Sequence, residues 1–126
     1  MSMFCYQCQE TAKNTGCTVK GVCGKNEEVA KLQDLLIYVC KGIAEIAVKG
    51  KEDVATTSDV NHEVIKSLFI TITNANFDEV AIEKQIVHML ALRDGLRANV
   101  TCTDYHDAAT FTVSDRTSML EKASGV

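Results

Sequence analysis

Apolar residues recur at three- and four-residue steps along most of the chain, which is the pattern of amphipathic helices. A first helix is predicted to begin at Asn26, a good cap residue, with Glu27 and Glu28 placed to complement the helix dipole. Gly50, flanked by Lys49 and Lys51, is typical of its end. The apolar stripe of this helix consists of Val29, Leu32, Leu36, Val39, Cys40, Ile43 and Ile46.

A second helix is predicted from about Asn61, although its C-terminal half is ambiguous. Residues 69–73 are rich in β-branched side chains and alternate like a strand. A lone strand would have no partner in an otherwise helical chain, so a helix is the favoured interpretation. Its apolar face consists of Val64, Ile65, Leu68, Phe69 and Ile72.

A third helix is predicted to begin after Asp78, whose side chain is suited to capping. Arg93 and Arg97 lie toward its end, where cations complement the helix dipole. Cys102 is placed at the end of this helix as a free, oxidisable thiol. The apolar period is kept by Ala81, Ile82, Ile86, Met89, Leu90 and Leu96.

These patterns predict an all-α fold, a three-helix bundle in which each helix buries its stripe against the others. Ser114 or Asp115 is placed to cap a short final helix that runs through Lys122. A single domain is predicted, with three parts: a Cys-rich loop over residues 1–25, the helical bundle over 26–102, and a polar tail with the short helix over 103–126.

Composition and charge exclude several classes of protein. The chain has 126 residues and a net charge of −4, so it presents no overall positive field for nucleic acid. The longest apolar run, Leu35 to Cys40, is far too short to span a membrane. The N-terminus has neither the charged nor the apolar region of a signal peptide. We therefore expect a cytoplasmic protein that binds neither nucleic acid nor membrane.

Four of the six cysteines lie within the first 23 residues, at Cys5, Cys8, Cys17 and Cys23. A secreted disulfide scaffold would spread its cysteines along the chain, so this crowding favours a metal site. Four thiolates match the ligand requirement of a [4Fe–4S] or [2Fe–2S] cluster. Zinc is the rival, although zinc ribbons usually bring two Cys-x-x-Cys pairs and this segment has one. A redox-active disulfide between Cys5 and Cys8 is a third alternative. It is weaker, because the βαβ pattern of a thioredoxin fold is missing.

Residues around the cysteines have simpler interpretations. Gly16, Gly21 and Gly24 are expected to let the loop turn tightly around the site. Phe4 and Tyr6 are expected to shield it from water. Three lysines, Lys13, Lys20 and Lys25, either offset the negative charge of the thiolates or form a solvated face. Cys40 and the scattered His62, His88 and His106 are expected to have structural roles rather than to bind metal.

The cysteine segment resembles the N-terminus of the hybrid cluster proteins, also called prismane proteins or hydroxylamine reductases. The resemblance extends over nearly the whole chain. It is carried by Phe4–Ala12, Gly16–Thr18, Gly21–Lys25, Leu32–Tyr38, Lys41–Ala44, Thr71–Asp78, Ala91–Asp94 and Asp107–Thr110.

The resemblance implies that Cys5, Cys8, Cys17 and Cys23 bind a [4Fe–4S] cluster, or a [2Fe–2S] cluster as in some members. It also implies a separate hybrid cluster, whose ligands lie beyond residue 126. That cluster reduces hydroxylamine to ammonia, or takes nitric oxide as its substrate. This oxidoreductase activity is therefore not expected of the chain alone. By this resemblance the chain is expected to be an electron-transfer domain, which holds electrons and passes them to the hybrid cluster without turning over substrate. The implied partners are a redox donor protein or the remaining domains of a hydroxylamine reductase.

Two other hypotheses remain open. The chain could be a non-catalytic dimerisation or interaction module whose cysteines are empty or hold zinc. Wide apolar coverage of the first helix indicates a further packing surface, so we expect the isolated chain to form a homodimer. The sequence could also be a fragment of a complete reductase.

Overall fold

The computed structural model describes residues 3–8, 10–50, 58–72, 78–98, 100 and 104–126. In this part of the chain the regular elements are helices. One isolated β-bridge also occurs, between Cys5 and Cys17. The predicted all-α fold is thus confirmed. The helices are α1 (Glu27–Lys49), α2 (Ser58–Ile72), α3 (Glu79–Arg97) and α4 (Arg116–Ala123), with short 3-10 helices at Ala12–Asn14 and Asp107–Ala109.

Helix α1 begins and ends where its sequence predicts. The Asn26 side chain accepts a hydrogen bond from the Val29 N–H at 2.9 Å, which satisfies one of the unpaired amides of the first turn. At the other end the Gly50 N–H donates to the Ile46 carbonyl. Because both signals are local side-chain and backbone chemistry, the sequence alone locates this helix.

Helix α1 is the centre of the core, with α2, α3, α4 and the second 3-10 helix packed around it. Its stripe is almost completely buried, together with Leu35 beside it. Burial of this apolar surface is the main favourable contribution to folding. The core is completed from the other elements by Val60, Ile82, Ile86, Met89, Leu90, Phe111, Met119 and Ala123.

Helix α2 extends to Ile72, which confirms a helix through the ambiguous strand-like residues. It begins at Ser58, three residues before the predicted start at Asn61. Residues 51–57 and 73–77, on either side of this helix, lie outside the described residues.

The predicted inward face of α2 is wrong. Its members Ile65, Leu68, Phe69 and Ile72 are exposed, and Val64 is half-buried. The buried positions are instead Val60, Ser67 and Thr71. Ser67 accepts a hydrogen bond from Gln85 Nε2 at 3.0 Å, and Thr71 donates to the Leu68 carbonyl at 2.7 Å. Because these polar groups are satisfied inside the bundle, a polar row faces the neighbouring helices.

Helices α3 and α4 begin at the predicted caps. The Asp78 side chain accepts hydrogen bonds from the Val80 and Ala81 N–H groups. Asp115, one of the two predicted caps, forms a capping box with Ser118. Helix α3 ends at Arg97, so it stops before Cys102, which lies outside the described residues. Within the described part of the chain, no helix combines the length and apolar character needed to cross a bilayer.

Arg93 is the largest buried side chain that the sequence analysis did not place in the core. Its side chain is 0% exposed, whereas the sequence indicated a cation near the helix end. Nη1 donates to the Ala108 carbonyl at 3.2 Å and Nη2 donates to the Phe111 carbonyl at 2.6 Å. The guanidinium also lies 4.9 Å from the Phe111 ring centroid. Arg93 therefore attaches the segment after α3 to the bundle.

Gly42 permits a close approach between α1 and the second 3-10 helix. A Cβ atom at this position would lie 2.1 Å from the Ala108 carbonyl oxygen, which is backbone and cannot easily move. Gly42→Ala should therefore lower the free energy of unfolding by about 2 kcal/mol through overpacking. Urea denaturation measures the change.

Gly95 of α3 is the matched control for this substitution. A Cβ atom there meets nothing within 4 Å, so Gly95→Ala should raise the free energy of unfolding by about 0.5 kcal/mol. Equal effects of the two substitutions would contradict the close packing at Gly42.

Candidate metal centre

The four N-terminal cysteines line one cavity between the loop at residues 5–17 and the turn at residues 21–25. Cys5, Cys8, Cys17 and Cys23 all contribute to its wall, and each is a free thiol. Among the described residues, no three His, Cys, Asp or Glu side chains converge closely enough to hold a single metal ion. The rest of the wall is formed by Gln7, Glu10, Thr11, Gly21, Val22 and Lys25.

Backbone pairing brings Cys5 and Cys17 side by side although twelve positions separate them in sequence. The Cys5 N–H donates to the Cys17 carbonyl at 2.9 Å, and the Cys17 N–H donates back to the Cys5 carbonyl at 2.8 Å. This is the isolated β-bridge of the fold. It closes the loop, so that the first and third cysteines of the motif face one cavity.

Two of the three glycines have the backbone conformation that the loop requires. Gly16 has φ +119° and Gly24 has φ +100°, a region that other residues rarely adopt. Gly16 also lies under the Phe4 ring. A Cβ atom added at Gly16 would lie only 2.4 Å from Phe4 Cε2. Each glycine directly flanks a cysteine of the cavity, so the chain reverses next to its sulfur.

Cys17 is buried and surrounded by hydrogen-bond donors. Its Sγ accepts a hydrogen bond from the Ala12 N–H at 3.3 Å and lies 3.5 Å from the Thr11 hydroxyl. The Ala12 hydrogen bond, followed by that of Thr11, lowers the pKa of the Cys17 thiol. Hydrogen bonds that favour the thiolate also favour metal binding, because the thiolate is the ligand.

Lys25 differs in solvent exposure from the other two lysines of the segment. Lys13 and Lys20 are exposed, in agreement with a solvated face. Lys25 is only 3% exposed, so that interpretation is wrong for it. Its Nζ donates to Cys5 Sγ at 3.2 Å and to Gln7 Oε1 at 3.4 Å. One cation of the loop therefore touches the site.

Phe4 and Tyr6 do not form the expected shield. They are 51% and 47% exposed, and neither contributes to the cavity wall. Phe4 packs on Gly16, while the Tyr6 hydroxyl donates to Asn14 Oδ1 at 2.7 Å. Both side chains thus pack against the loop and do not line the cavity.

The remaining candidate ligands have structural surroundings. Burial raises the pKa of the Cys40 thiol to about 11, which keeps it a neutral core residue. His106 Nδ1 accepts a hydrogen bond from the Ala108 N–H at 3.1 Å and so caps a 3-10 helix. His88 Nε2 lies 3.4 Å from the Glu63 carboxylate on the surface.

The fold and the site together define a small helical protein with a cysteine-lined N-terminal cavity. The model of the Prismane/CO dehydrogenase family matches residues 3–124, which is nearly the whole chain. The chain therefore belongs to the Prismane/CO dehydrogenase family, and the resemblance seen in its sequence is confirmed.

Curated relatives of this chain include proteins named hydroxylamine reductase. The chain is 63% identical over 126 residues to the one from Acetivibrio thermocellus, covering all of this chain and 23% of the relative. It is 50% identical over 133 residues to the one from Clostridium perfringens, covering all of this chain and 24% of that relative. The chain thus spans about a quarter of the length of the curated relatives that it matches.

Proposed function

We propose that this chain is an iron–sulfur electron-transfer module of a hydroxylamine reductase. Cys5, Cys8, Cys17 and Cys23 would hold a [4Fe–4S] cluster, with [2Fe–2S] as the alternative. The single observation that carries the proposal is that these four thiols line the same cavity, within a chain of the prismane family.

The residues of the cavity fit such a cluster by their chemistry. Sulfur donors suit the iron of these clusters, and four of them supply one ligand for each iron of a cubane. The negative charge of four thiolates needs compensation, which Lys25 supplies at Cys5 and the Ala12 N–H supplies at Cys17. A cluster held here would take up and release one electron at a time.

The solvent exposure of the four cysteines determines from which side electrons could reach the site. Cys17 is buried, whereas Cys5, Cys8 and Cys23 are partly exposed. Cys8 also borders an open depression beside Tyr6, Gln7 and Asn14. We infer that the exposed edge at Cys8 faces the redox partner, while the hydrogen-bonded Cys17 anchors the site to the fold.

Reduction of hydroxylamine is proposed for the complete reductase and not for this chain. The reaction needs an open metal position for the substrate nitrogen and a nearby proton donor. A donor set of four thiolates occupies every ligand position of a cubane and leaves none open. The chain alone is therefore proposed to store and pass electrons to a hybrid cluster elsewhere in the longer protein.

Anaerobic reduction tests the electron-transfer function. Protein reconstituted with iron and sulfide should bleach on addition of dithionite and develop an electron paramagnetic resonance signal of about one spin per chain. Reoxidation should restore the original absorption. Protein that binds iron but shows no reversible one-electron change would contradict the function.

A second proposal concerns association through α2. Ile65, Leu68, Phe69 and Ile72 recur at helical spacing and are 42–66% exposed, which forms an apolar stripe on the surface. The relatives have additional chain that could cover this stripe. For the 126-residue chain by itself, we propose that a second copy covers it in a two-fold dimer.

Phe69→Gln should convert this dimer to a monomer, because a buried amide without partners costs more than the apolar contact it replaces. Sedimentation velocity measures the change. Val80→Gln is the matched control, since Val80 is also exposed but lies on α3. A monomeric parent chain, or equal effects of the two variants, would contradict association through α2.

A further inference from the structure

Lys25 is a buried cation in direct contact with one of the four cysteines. Its side chain is 3% exposed, and Nζ lies 3.2 Å from Cys5 Sγ. A buried ammonium is costly unless an anion or strong acceptor compensates it. Gln7 Oε1 supplies a neutral acceptor at 3.4 Å, and Cys5 Sγ would supply the anion in contact when metal binding makes it a thiolate.

Two further acidic groups, Asp34 and Cys17, interact electrostatically with Lys25. Burial raises the pKa of the Asp34 carboxyl, and the Lys25 charge only partly opposes that effect. Because no contact between Asp34 and Lys25 is seen at hydrogen-bond distance, Asp34 acts on the Lys25 charge only from further away. The contact with Cys5 is the interaction in which the Lys25 charge meets a group that metal binding keeps ionised.

The backbone of the turn fixes Lys25 in this position. The Gly21 N–H donates to the Lys25 carbonyl at 2.7 Å, and the Gly24 N–H donates to the Gly21 carbonyl at 2.9 Å. Gly24 has φ +100°, a left-handed conformation that glycine adopts without strain, and the Lys25 side chain that follows it is buried. Asn26 then caps α1, so Lys25 is held between a closed turn and a helix start.

We propose that Lys25 is a positioning residue that raises the reduction potential of the site through Cys5. This inference rests on the proposed function. Reduction adds one negative charge to a site that already carries thiolates. A fixed cation in contact with a ligand stabilises the more negative state more strongly, and it does so most effectively where water is excluded.

The test compares Lys25→Gln with Lys20→Gln in reconstituted protein. Lys25→Gln should shift the one-electron reduction equilibrium at least tenfold toward the oxidised form, which corresponds to about 59 mV for a one-electron couple. Lys20→Gln removes an exposed charge from the same loop and should shift the equilibrium much less. Lys25→Arg keeps the charge and should restore most of the parental potential.

Each outcome decides between a charge effect and a merely structural one. Iron-loaded Lys25→Gln with the parental potential would overturn the inference while leaving the proposed function intact. If Lys25→Gln folds but takes up no iron, Lys25→Arg becomes decisive: loading with the parental potential supports the charge effect, and failure to load overturns it. A parent chain that binds no iron would refute the proposed function, and this inference with it.

Discussion

Replacing Cys5 and Cys17 together by alanine should reduce the iron bound by the reconstituted chain at least tenfold. The two residues pair through the isolated β-bridge, and their sulfurs line the same cavity. Removing both leaves two thiols, which cannot complete the four-thiolate ligand set. Iron content and the visible absorption spectrum of the double variant measure the effect.

Cys40→Ala is the matched control for this experiment. Cys40 is a thiol on the buried face of α1, within the core of the bundle, and its raised pKa keeps it protonated. The variant should lose some stability but keep its iron, because the thiol is no part of the cavity. Unchanged iron and absorption in the Cys5/Cys17 double variant would contradict the assignment of the four cysteines.

Arg93→Met should lower the free energy of unfolding by about 3 kcal/mol or more. Arg93 is fully buried, and its guanidinium donates to the carbonyls of Ala108 and Phe111. Methionine fills much of the volume but leaves both buried acceptors without these donors, which carries a large desolvation cost. Since whole domains are stable by only about 5–15 kcal/mol, this loss should be evident in urea denaturation.

Arg116→Met provides the comparison at the surface. Arg116 pairs with Glu79 at 3.1 Å and with Glu83 at 3.0 Å, but its side chain is partly exposed. Exposed ion pairs contribute about 1 kcal/mol or less, so this variant should be nearly as stable as the parent. A smaller loss for Arg93→Met than for Arg116→Met would contradict the role of Arg93 in attaching residues 104–113.

The caps and the helical class could be predicted because their causes are local. Asn26, Asp78 and Asp115 each accept a hydrogen bond from an amide two or three residues further on. Both partners of each of these hydrogen bonds lie within one helical turn. The same holds for Gly16 and Gly24, whose positive φ values follow from the tight reversals that flank the cysteines.

The orientation of α2 could not be predicted in this way, because its cause lies in another helix. Gln85 of α3 donates to Ser67, which makes a polar row acceptable inside the bundle. The apolar pattern alone favoured burial of Phe69, which is 60% exposed. The apolar residues around Phe69 therefore lie on the surface of α2 instead of in the core.

Lys25 and Arg93 illustrate the same limit for charged residues. In sequence, Lys25 resembles the exposed Lys13 and Lys20, and Arg93 resembles the half-buried Arg97. Their burial depends on acceptors far along the chain, Cys5 for Lys25 and Phe111 for Arg93. The position of Lys25 between Gly24 and a helix cap was the only local signal that set it apart.

Chemical analysis of anaerobically prepared protein tests the central claim most directly, by measuring iron, zinc and acid-labile sulfide in the same sample. A cubane held by Cys5, Cys8, Cys17 and Cys23 predicts about four iron and four sulfide per chain, and a [2Fe–2S] cluster about two of each. About one zinc per chain with no sulfide would contradict the account, because zinc alone satisfies four thiolates without inorganic sulfur.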